Sequence, residues 1–268
     1  MRRFVPTLPS RKRLAASLSN SKKQWEWSGA ADASVFVAGH SHRGAYRAAI
    51  NEGLASGVAV LLPKGPVDPS VPDEPDGPYW RTACRTPGRV LAVVWNGNQH
   101  NRHFMFEFDE PLRLHDCGEV GTVVPASMIS AFWEPSLTRM DVILRSVSAE
   151  HLVLLGTPPP KTDEEIRAGL RFAPVLLQAI AAAGESADTI RITPAALRVG
   201  LWKILQGDLE ARAARIGAIF VPVPASAQTP DGCLKPEYSV GDSSHANGAF
   251  GALMLSEIDA AVAQVEAA

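Results

Sequence analysis

The first stretch of the chain with potential chemistry is a serine that follows a short apolar run. Residues 35–38 are apolar and lead into Gly39, and Ser41 comes two residues later. Near the other end, Asp242 and His245 are three residues apart and precede an apolar helical pattern. A serine hydroxyl is a weak nucleophile that needs a base and a group to orient that base. The sequence therefore predicts Ser41 as the nucleophile, His245 as the base and Asp242 as the orienting acid.

The same stretch also fits a metal site. Gly39-His40-Ser41-His42 resembles the Gly-His-x-His block of metallophosphoesterases, and residues 97–100 loosely resemble their Gly-Asn-His block. Imidazole and carboxylate groups are common ligands of catalytic metals. The candidate ligands are His40, His42, His100, His103 and Asp242. That family opens with an Asp-x-His block, and no such block precedes Gly39 in this chain. The metal site is therefore the alternative to the serine nucleophile. For His100 and His103 we expect rings that make a structural hydrogen bond or are exposed.

Composition is that of an ordinary globular protein. The 268 residues are 46% hydrophobic and 20% charged, with a net charge of −2 that does not indicate nucleic acid. No apolar run approaches the ~18 residues that a membrane span needs. Cys84, Cys117 and Cys233 are far apart and form no Cys-x-x-Cys, which argues against a disulfide framework or a zinc knuckle. We expect free thiols in a reducing compartment, and hence a cytoplasmic protein.

The first 24 residues are basic and contain no acidic residue. They also lack the apolar segment that a secretory signal requires. We expect a solvated arm, and the alternative is a basic tether to an anionic membrane surface or an acidic partner. Together with a lead-in at 25–33 the arm forms the segment 1–33, and residues 34–268 form the predicted catalytic domain.

Five short apolar runs alternate with amphipathic segments along the chain. Buried strands are predicted at residues 34–38, 58–62, 90–95, 151–155 and 218–223. Helices are predicted at residues 42–55, 125–147, 162–183, 193–216 and 244–265. Pro135 should break or kink the second of these helices. The expected fold is α/β, a three-layer doubly wound (flavodoxin-like) sheet of about five parallel strands with helices on both faces.

Three blocks, in this order, resemble those of the SGNH, or GDSL-type, hydrolase family. They read Gly39-His40-Ser41, Asn96-Gly97-Asn98-Gln99 and Asp242-Ser243-Ser244-His245. The resemblance covers about residues 34–265 and implies hydrolysis of an acyl ester through an acyl-enzyme on Ser41. It further implies that Asn98 donates its side-chain amide to the oxyanion, beside the backbone N–H of Ser41, and that neither metal nor cofactor is needed.

The chain departs from the family pattern at several positions. His40 stands where the family has aspartate, and Asn96 and Gln99 replace the outer glycine and aspartate of the third block. The second block has only Gly65 as a candidate for its glycine. Gly241-Asp242-Ser243 spells the family's nucleophile block, but only 25 residues follow Ser243. A strand-first domain cannot begin there, so Ser243 is predicted to cap the last helix.

The expected reaction is hydrolysis of a short acyl ester, such as an O-acetyl group on a carbohydrate. The predicted partner is therefore a small-molecule or carbohydrate ester, without nucleic acid. Three alternatives stay open: an acyltransferase with the same residues, a metal-dependent phosphoesterase that uses His40 and His42, and a non-catalytic module that binds a carbohydrate or a protein partner.

Overall fold

The computed structural model describes residues 25–63, 77–86, 88–95, 104–107, 112–114 and 121–268. Within them the chain forms short strands that alternate with helices. The strands are β1 Trp25–Gly29, β2 Val35–Gly39, β3 Val58–Pro63, β4 Val90–Val94, β5 Phe106–Glu107, β6 Leu112–Arg113, β7 Thr122–Val123, β8 His151–Leu155, β9 Arg191–Ile192 and β10 Ile219–Val221.

The helices cover most of the remaining described residues. They are α1 Arg43–Asn51, α2 Pro78–Cys84, α3 Ala126–Leu144, α4 Asp163–Gly169, α5 Pro174–Ala182, α6 Ala195–Ile216 and α7 Gly248–Glu266. A short 3-10 turn, Leu170–Phe172, lies between α4 and α5.

Six strands form the central sheet, in the spatial order β1-β3-β2-β4-β8-β10. The five strands from β3 to β10 in this order are parallel, and β2 is an inner strand that pairs with both β3 and β4. The predicted α/β fold with about five parallel strands is confirmed. Ligands bind at the carboxyl ends of such strands where the strand order reverses, and it reverses at β2, because the next two strands of the chain lie on its two sides.

Both faces of the sheet are buried, which explains why its strands are continuously apolar. On one face, Phe36 and Ala38 of β2 lie in a hydrophobic cluster that also contains side chains of α2, α3 and α6. On the opposite face, Val35 and Val37 lie in a second hydrophobic cluster, with side chains of α1 and α7. The three layers are therefore helices, sheet and helices, as predicted.

The edge strand β1 is a difference from the sequence prediction, which has only a lead-in at residues 25–33. It pairs with β3 antiparallel, so that Trp27 lies opposite Leu61. Trp27 packs edge-on against Phe36, with ring centroids 4.8 Å apart. Only one face of this strand carries large apolar side chains, and the alternation of tryptophan with a polar residue is the typical signal of a half-buried strand.

Two of the predicted helices also differ. Residues 162–183 do not form one helix, because Ala173 precedes Pro174 and a residue before proline is disfavoured in the helical region. Conversely, α3 continues through Pro135 without a break. Pro135 is exposed, so its missing N–H lies on the solvent side, while Trp133 and Leu137 anchor the opposite face in the core.

Helix α7 is the one helix in the described residues that is long and apolar enough to cross a membrane by length and composition. Its buried residues, among them Phe250, Met254 and Ile258, belong to the core beside the sheet. The same apolar face would be expected of any helix that covers a parallel sheet.

Candidate active site

The turn after β2 presents Ser41 at the carboxyl end of the central strand. Gly39 has φ +142°, and a Cβ built on it would lie 2.0 Å from the carbonyl oxygen of Val94. Only glycine fits this close approach between β2 and β4. The N–H of His40 then donates to the same Val94 carbonyl at 3.1 Å. The chain leaves the sheet directly afterwards, and Ser41 is exposed.

Two buried side chains hold the Gly39 peptide groups in place. The Tyr79 hydroxyl accepts from the N–H of Gly39 at 2.7 Å and donates to its carbonyl at 2.9 Å. Arg43 Nη1 donates to the same carbonyl at 2.8 Å. Burial raises the pKa of Tyr79 to about 12, although Arg43 and the bond to Gly39 act against this. The phenol therefore stays protonated and remains a donor at neutral pH.

The two histidines beside Ser41 contact different groups. The His40 ring packs edge-on against Trp95, with centroids 4.8 Å apart, and also lies near Trp80. The His42 ring is buried and faces the ring of His245, with centroids 4.9 Å apart. His40 thus belongs to an aromatic cluster, whereas His42 lines the contact between the turn after β2 and the loop before α7.

The loop before α7 brings Asp242 and His245 into direct contact. Asp242 Oδ2 lies 2.7 Å from Nδ1 of His245. Asp242 Oδ1 accepts the backbone N–H groups of Ser244 at 2.8 Å and His245 at 2.7 Å. Partial burial opposes ionisation of this carboxyl, but the hydrogen bonds from His245 and Ser244 outweigh it and hold the pKa of Asp242 well below its usual range.

An ionised Asp242 can only accept hydrogen bonds, which decides the tautomer of its partner. Nδ1 of His245 must carry the proton that it shares with the carboxylate, so Nε2 of the neutral ring has a lone pair. The side chains of Asp242 and His245 are 29% and 33% exposed, so the pair is accessible from solvent. Its chemistry is that of an oriented general base.

Close packing of α7 on α1 brings this loop to the turn after β2. A Cβ on Gly251 would lie 2.3 Å from the carbonyl oxygen of Ala45, and one on Gly248 would lie 3.0 Å from the carbonyl carbon of Ala48. These two glycines let the helix backbones approach closely. Asn247, not Ser243, caps α7, because its side chain accepts from the N–H of Phe250 at 3.1 Å.

The prediction that Ser243 caps the last helix is wrong, because this serine is buried within the loop that precedes α7. The peptide that joins it to Asp242 packs on Gly169, the last residue of α4, where a Cβ would lie 2.3 Å from the carbonyl carbon of Asp242. The sequence signal for this contact is a small residue at the end of a helix, which is too common to have predicted the contact.

Three residues of the site region have no strong sequence signal. Tyr79 and Arg43 look like ordinary helical residues until the fold brings them to Gly39. Lys161 follows three prolines and lies completely buried beneath the Asp242 loop. A buried lysine cannot be recognised from composition or spacing alone, because most lysines are exposed.

Several predicted site residues lie outside the described residues. These are Gly65, Asn96, Asn98, Gln99, His100, His103 and Cys117. Cys84 and Cys233 are free thiols, as expected, and burial raises the pKa of both, so neither is an activated thiolate. Within the described ranges, the group with metal-ligand spacing is Glu150, His151 and Glu266, which includes none of the predicted ligands.

The chain matches no protein-family model, and no curated protein matches it. Similar solved structures include a protein from Bacteroides fragilis described as an acylhydrolase, with a TM-score of 0.46, 12% identity and coverage of 95% of this chain and 96% of that one. A lipopolysaccharide acetyltransferase periplasmic domain from Salmonella serovar Paratyphi A has a TM-score of 0.43, 12% identity and coverage of 93% and 88%.

A carbohydrate acetylesterase from Sinorhizobium meliloti has a TM-score of 0.37 and 12% identity, and the match covers 87% of this chain and 99% of that one. Similarity at this level assigns neither a fold nor a function to this chain. The α/β fold implied by the SGNH resemblance is evident from the strand order and register of the central sheet.

Proposed function

We propose that this protein is a serine esterase of the SGNH type, which hydrolyses a short acyl ester through an acyl-enzyme on Ser41. The observation that supports it most is the contact between Asp242 and His245, 2.7 Å from Oδ2 to Nδ1. This oriented base lies against His42, the neighbour of the exposed Ser41. A nucleophile, a base and an orienting carboxylate are what acyl transfer from an ester requires.

The reaction proceeds in two halves. Nε2 of His245 accepts the Ser41 Oγ proton while Oγ attacks the ester carbonyl, and the carbonyl oxygen becomes an oxyanion. When the intermediate collapses, the alcohol leaves with the proton from His245, and the acyl group stays on Oγ. Water then attacks the acyl-enzyme and gives its proton to His245, and His245 returns that proton to Oγ as the acid leaves, which regenerates Ser41.

Oxyanion stabilisation is proposed for the backbone N–H of Ser41 and the side-chain amide of Asn98. Each donor of this kind typically contributes ~100- to 1000-fold to turnover. The bonds from Tyr79 and Arg43 to Gly39 support this part of the proposal, because they fix the main chain two residues before the Ser41 N–H. A rigid donor costs no reorganisation during the reaction.

An ester of a polar, bulky alcohol such as an O-acetylated carbohydrate is the proposed substrate. The exposure of Ser41 and the partial exposure of Asp242 and His245 support it, since such an open site admits an alcohol larger than the acyl group. Transfer to a second alcohol uses the same acyl-enzyme, and product analysis with and without added alcohol acceptor separates transfer from hydrolysis.

The test is labelling by a fluorophosphonate together with hydrolysis of p-nitrophenyl acetate. The wild-type chain should be labelled at Ser41, and Ser41→Ala and His245→Ala should each lose hydrolysis while keeping the circular dichroism spectrum. Ser256→Ala, an exposed serine on α7, is the matched control and should keep full activity. Full activity of Ser41→Ala that is lost with a chelator would instead support the metal-dependent phosphoesterase, and a folded chain that is never labelled would support the binding module.

A further inference from the structure

Lys161 is a completely buried lysine in the segment between β8 and α4. Burying an ammonium group without partners is costly, so a buried lysine is expected to have specific acceptors. Its Nζ donates to the carbonyl oxygens of Val240 and Asp242, both at 2.6 Å. These two carbonyls flank Gly241, and they belong to the loop that presents the Asp242 carboxylate to His245.

The same Nζ lies 3.5 Å from Oδ1 of Asp242. Three acceptors therefore surround one nitrogen, which is the number that an ammonium group with three N–H donors can serve. Burial lowers the pKa of Lys161, and the negative charges of Asp242 and Glu165 oppose that shift. The arrangement places a positive charge beside Oδ1 of the carboxylate, whose Oδ2 contacts the His245 ring.

The main chain of Lys161 is itself held in place. Arg198 of α6 is also completely buried, and its Nη2 donates to the Lys161 carbonyl at 2.9 Å and to Oδ1 of Asp163 at 2.7 Å. The next residue, Thr162, caps α4 in a reciprocal capping box with Glu165. The lysine thus extends from a rigid base, and its Nζ reaches the Asp242 loop at a fixed point.

We infer that Lys161 is a positioning residue for the proposed reaction: it fixes the Asp242 carboxylate through the loop carbonyls and adds a positive charge beside that carboxylate. The inference rests on the proposed function. The contacts of Lys161 Nζ are with the loop carbonyls and with the Asp242 carboxylate, so it acts through Asp242. Its charge disfavours protonation of the pair, and so keeps the pair in the form that accepts the Ser41 proton.

The charged and titratable groups around Lys161 determine in which direction its replacement shifts the pH dependence of activity. They are Asp242 and His245 on the loop, His42 on the turn after β2, Asp163 and Glu165 on α4 and Arg198 on α6. Replacing Lys161 by a neutral residue removes one positive charge and leaves the acids in place. Proton binding to the Asp242–His245 pair then becomes more favourable, and activity requires a higher pH.

The experiment compares wild type with Lys161→Met and Lys161→Gln, in p-nitrophenyl acetate hydrolysis across the pH range. We expect kcat to fall ~10- to 100-fold, the size of effect of a misplaced catalytic group, while KM changes less than about twofold. The acid limb of the kcat/KM profile should move up by roughly one pH unit, because a charge several ångströms away is removed in a medium of intermediate dielectric constant.

Lys203→Met is the matched control, since Lys203 is exposed on α6. It should leave kcat, KM and the pH profile unchanged. An unchanged acid limb in folded Lys161→Met and Lys161→Gln would overturn the inference, because a purely structural lysine alters the rate without altering the titration. Glutamine keeps N–H donors for a loop carbonyl, so it separates the hydrogen bonds from the charge.

A second measurement uses the wild-type chain, in case both variants fail to fold. The ¹⁵Nζ resonance of Lys161 should be a slowly exchanging ammonium signal, and its chemical shift should follow the titration of the Asp242–His245 pair. A signal that does not respond to that titration would overturn the inference. If wild type is neither labelled nor active, the proposed function fails, and this spectroscopic measurement still decides whether Lys161 is coupled to Asp242.

Discussion

The rings of His42 and His245 face each other with their centroids 4.9 Å apart, across the contact between the turn after β2 and the loop before α7. The two histidines come from opposite ends of the chain. Their contact places the predicted base beside the residue that follows the predicted nucleophile.

Tyr79→Phe should destabilise the protein by about 1–3 kcal/mol, because it leaves the buried N–H of Gly39 without its acceptor. It should also lower kcat, since the turn before Ser41 loses one of its two side-chain anchors. Urea unfolding and ester hydrolysis measure the two effects. Tyr46→Phe is the control: the Tyr46 hydroxyl is buried and finds no hydrogen-bond partner in the described part of the chain, so its loss should be neutral or stabilising.

Gly251→Ala should destabilise the protein by about 1–3 kcal/mol and reduce activity, because the new Cβ would lie 2.3 Å from the Ala45 carbonyl and force α7 away from α1. Gly207→Ala on α6 is the matched control. Its Cβ would meet nothing within 4 Å, so alanine should stabilise the helix by about 0.5–1 kcal/mol and leave activity unchanged. Equal effects of the two substitutions would contradict the close contact of α7 and α1.

The contribution of Asp242 to the free energy of unfolding should decrease as the pH falls. Its hydrogen bonds to His245 and Ser244 hold the folded-state pKa below the unfolded value of about 3.9. A carboxyl with a depressed pKa stabilises the fold above the unfolded value, and this contribution is lost as pH falls through the folded value. The difference in unfolding free energy between wild type and Asp242→Asn should therefore shrink from pH 7 towards pH 3. A constant difference would refute the depressed pKa.

Asp242→Asn should slow ester hydrolysis by about 10⁴-fold, and His245→Ala by about 10⁶-fold. Asparagine disturbs the tautomer and the orientation of the imidazole, whereas alanine removes the base itself. Burst and steady-state kinetics with p-nitrophenyl acetate separate acylation from deacylation in both variants. A larger loss with Asp242→Asn than with His245→Ala would show that the carboxylate has a role beyond orienting the base.

The sequence was sufficient to predict the five parallel strands, because their apolar residues are buried on both faces and form uninterrupted runs. It also indicated the Asp242–His245 pair, since both groups lie within one short turn. The strand β1 was not predicted, because Trp25–Gly29 is apolar on one side only. Lys161 and Tyr79 could not have been predicted either, because their partners are main-chain groups far away in sequence.

The close contact between α1 and α7 has a consequence for the synthesis of the protein. The helix that follows Ser41 is synthesised long before the helix that follows His245. Contacts between such distant segments close a long loop and tend to form late in folding. A nascent or C-terminally truncated chain would therefore have an exposed Ser41 without Asp242 and His245, and the proposed esterase activity would appear only once both segments had folded together.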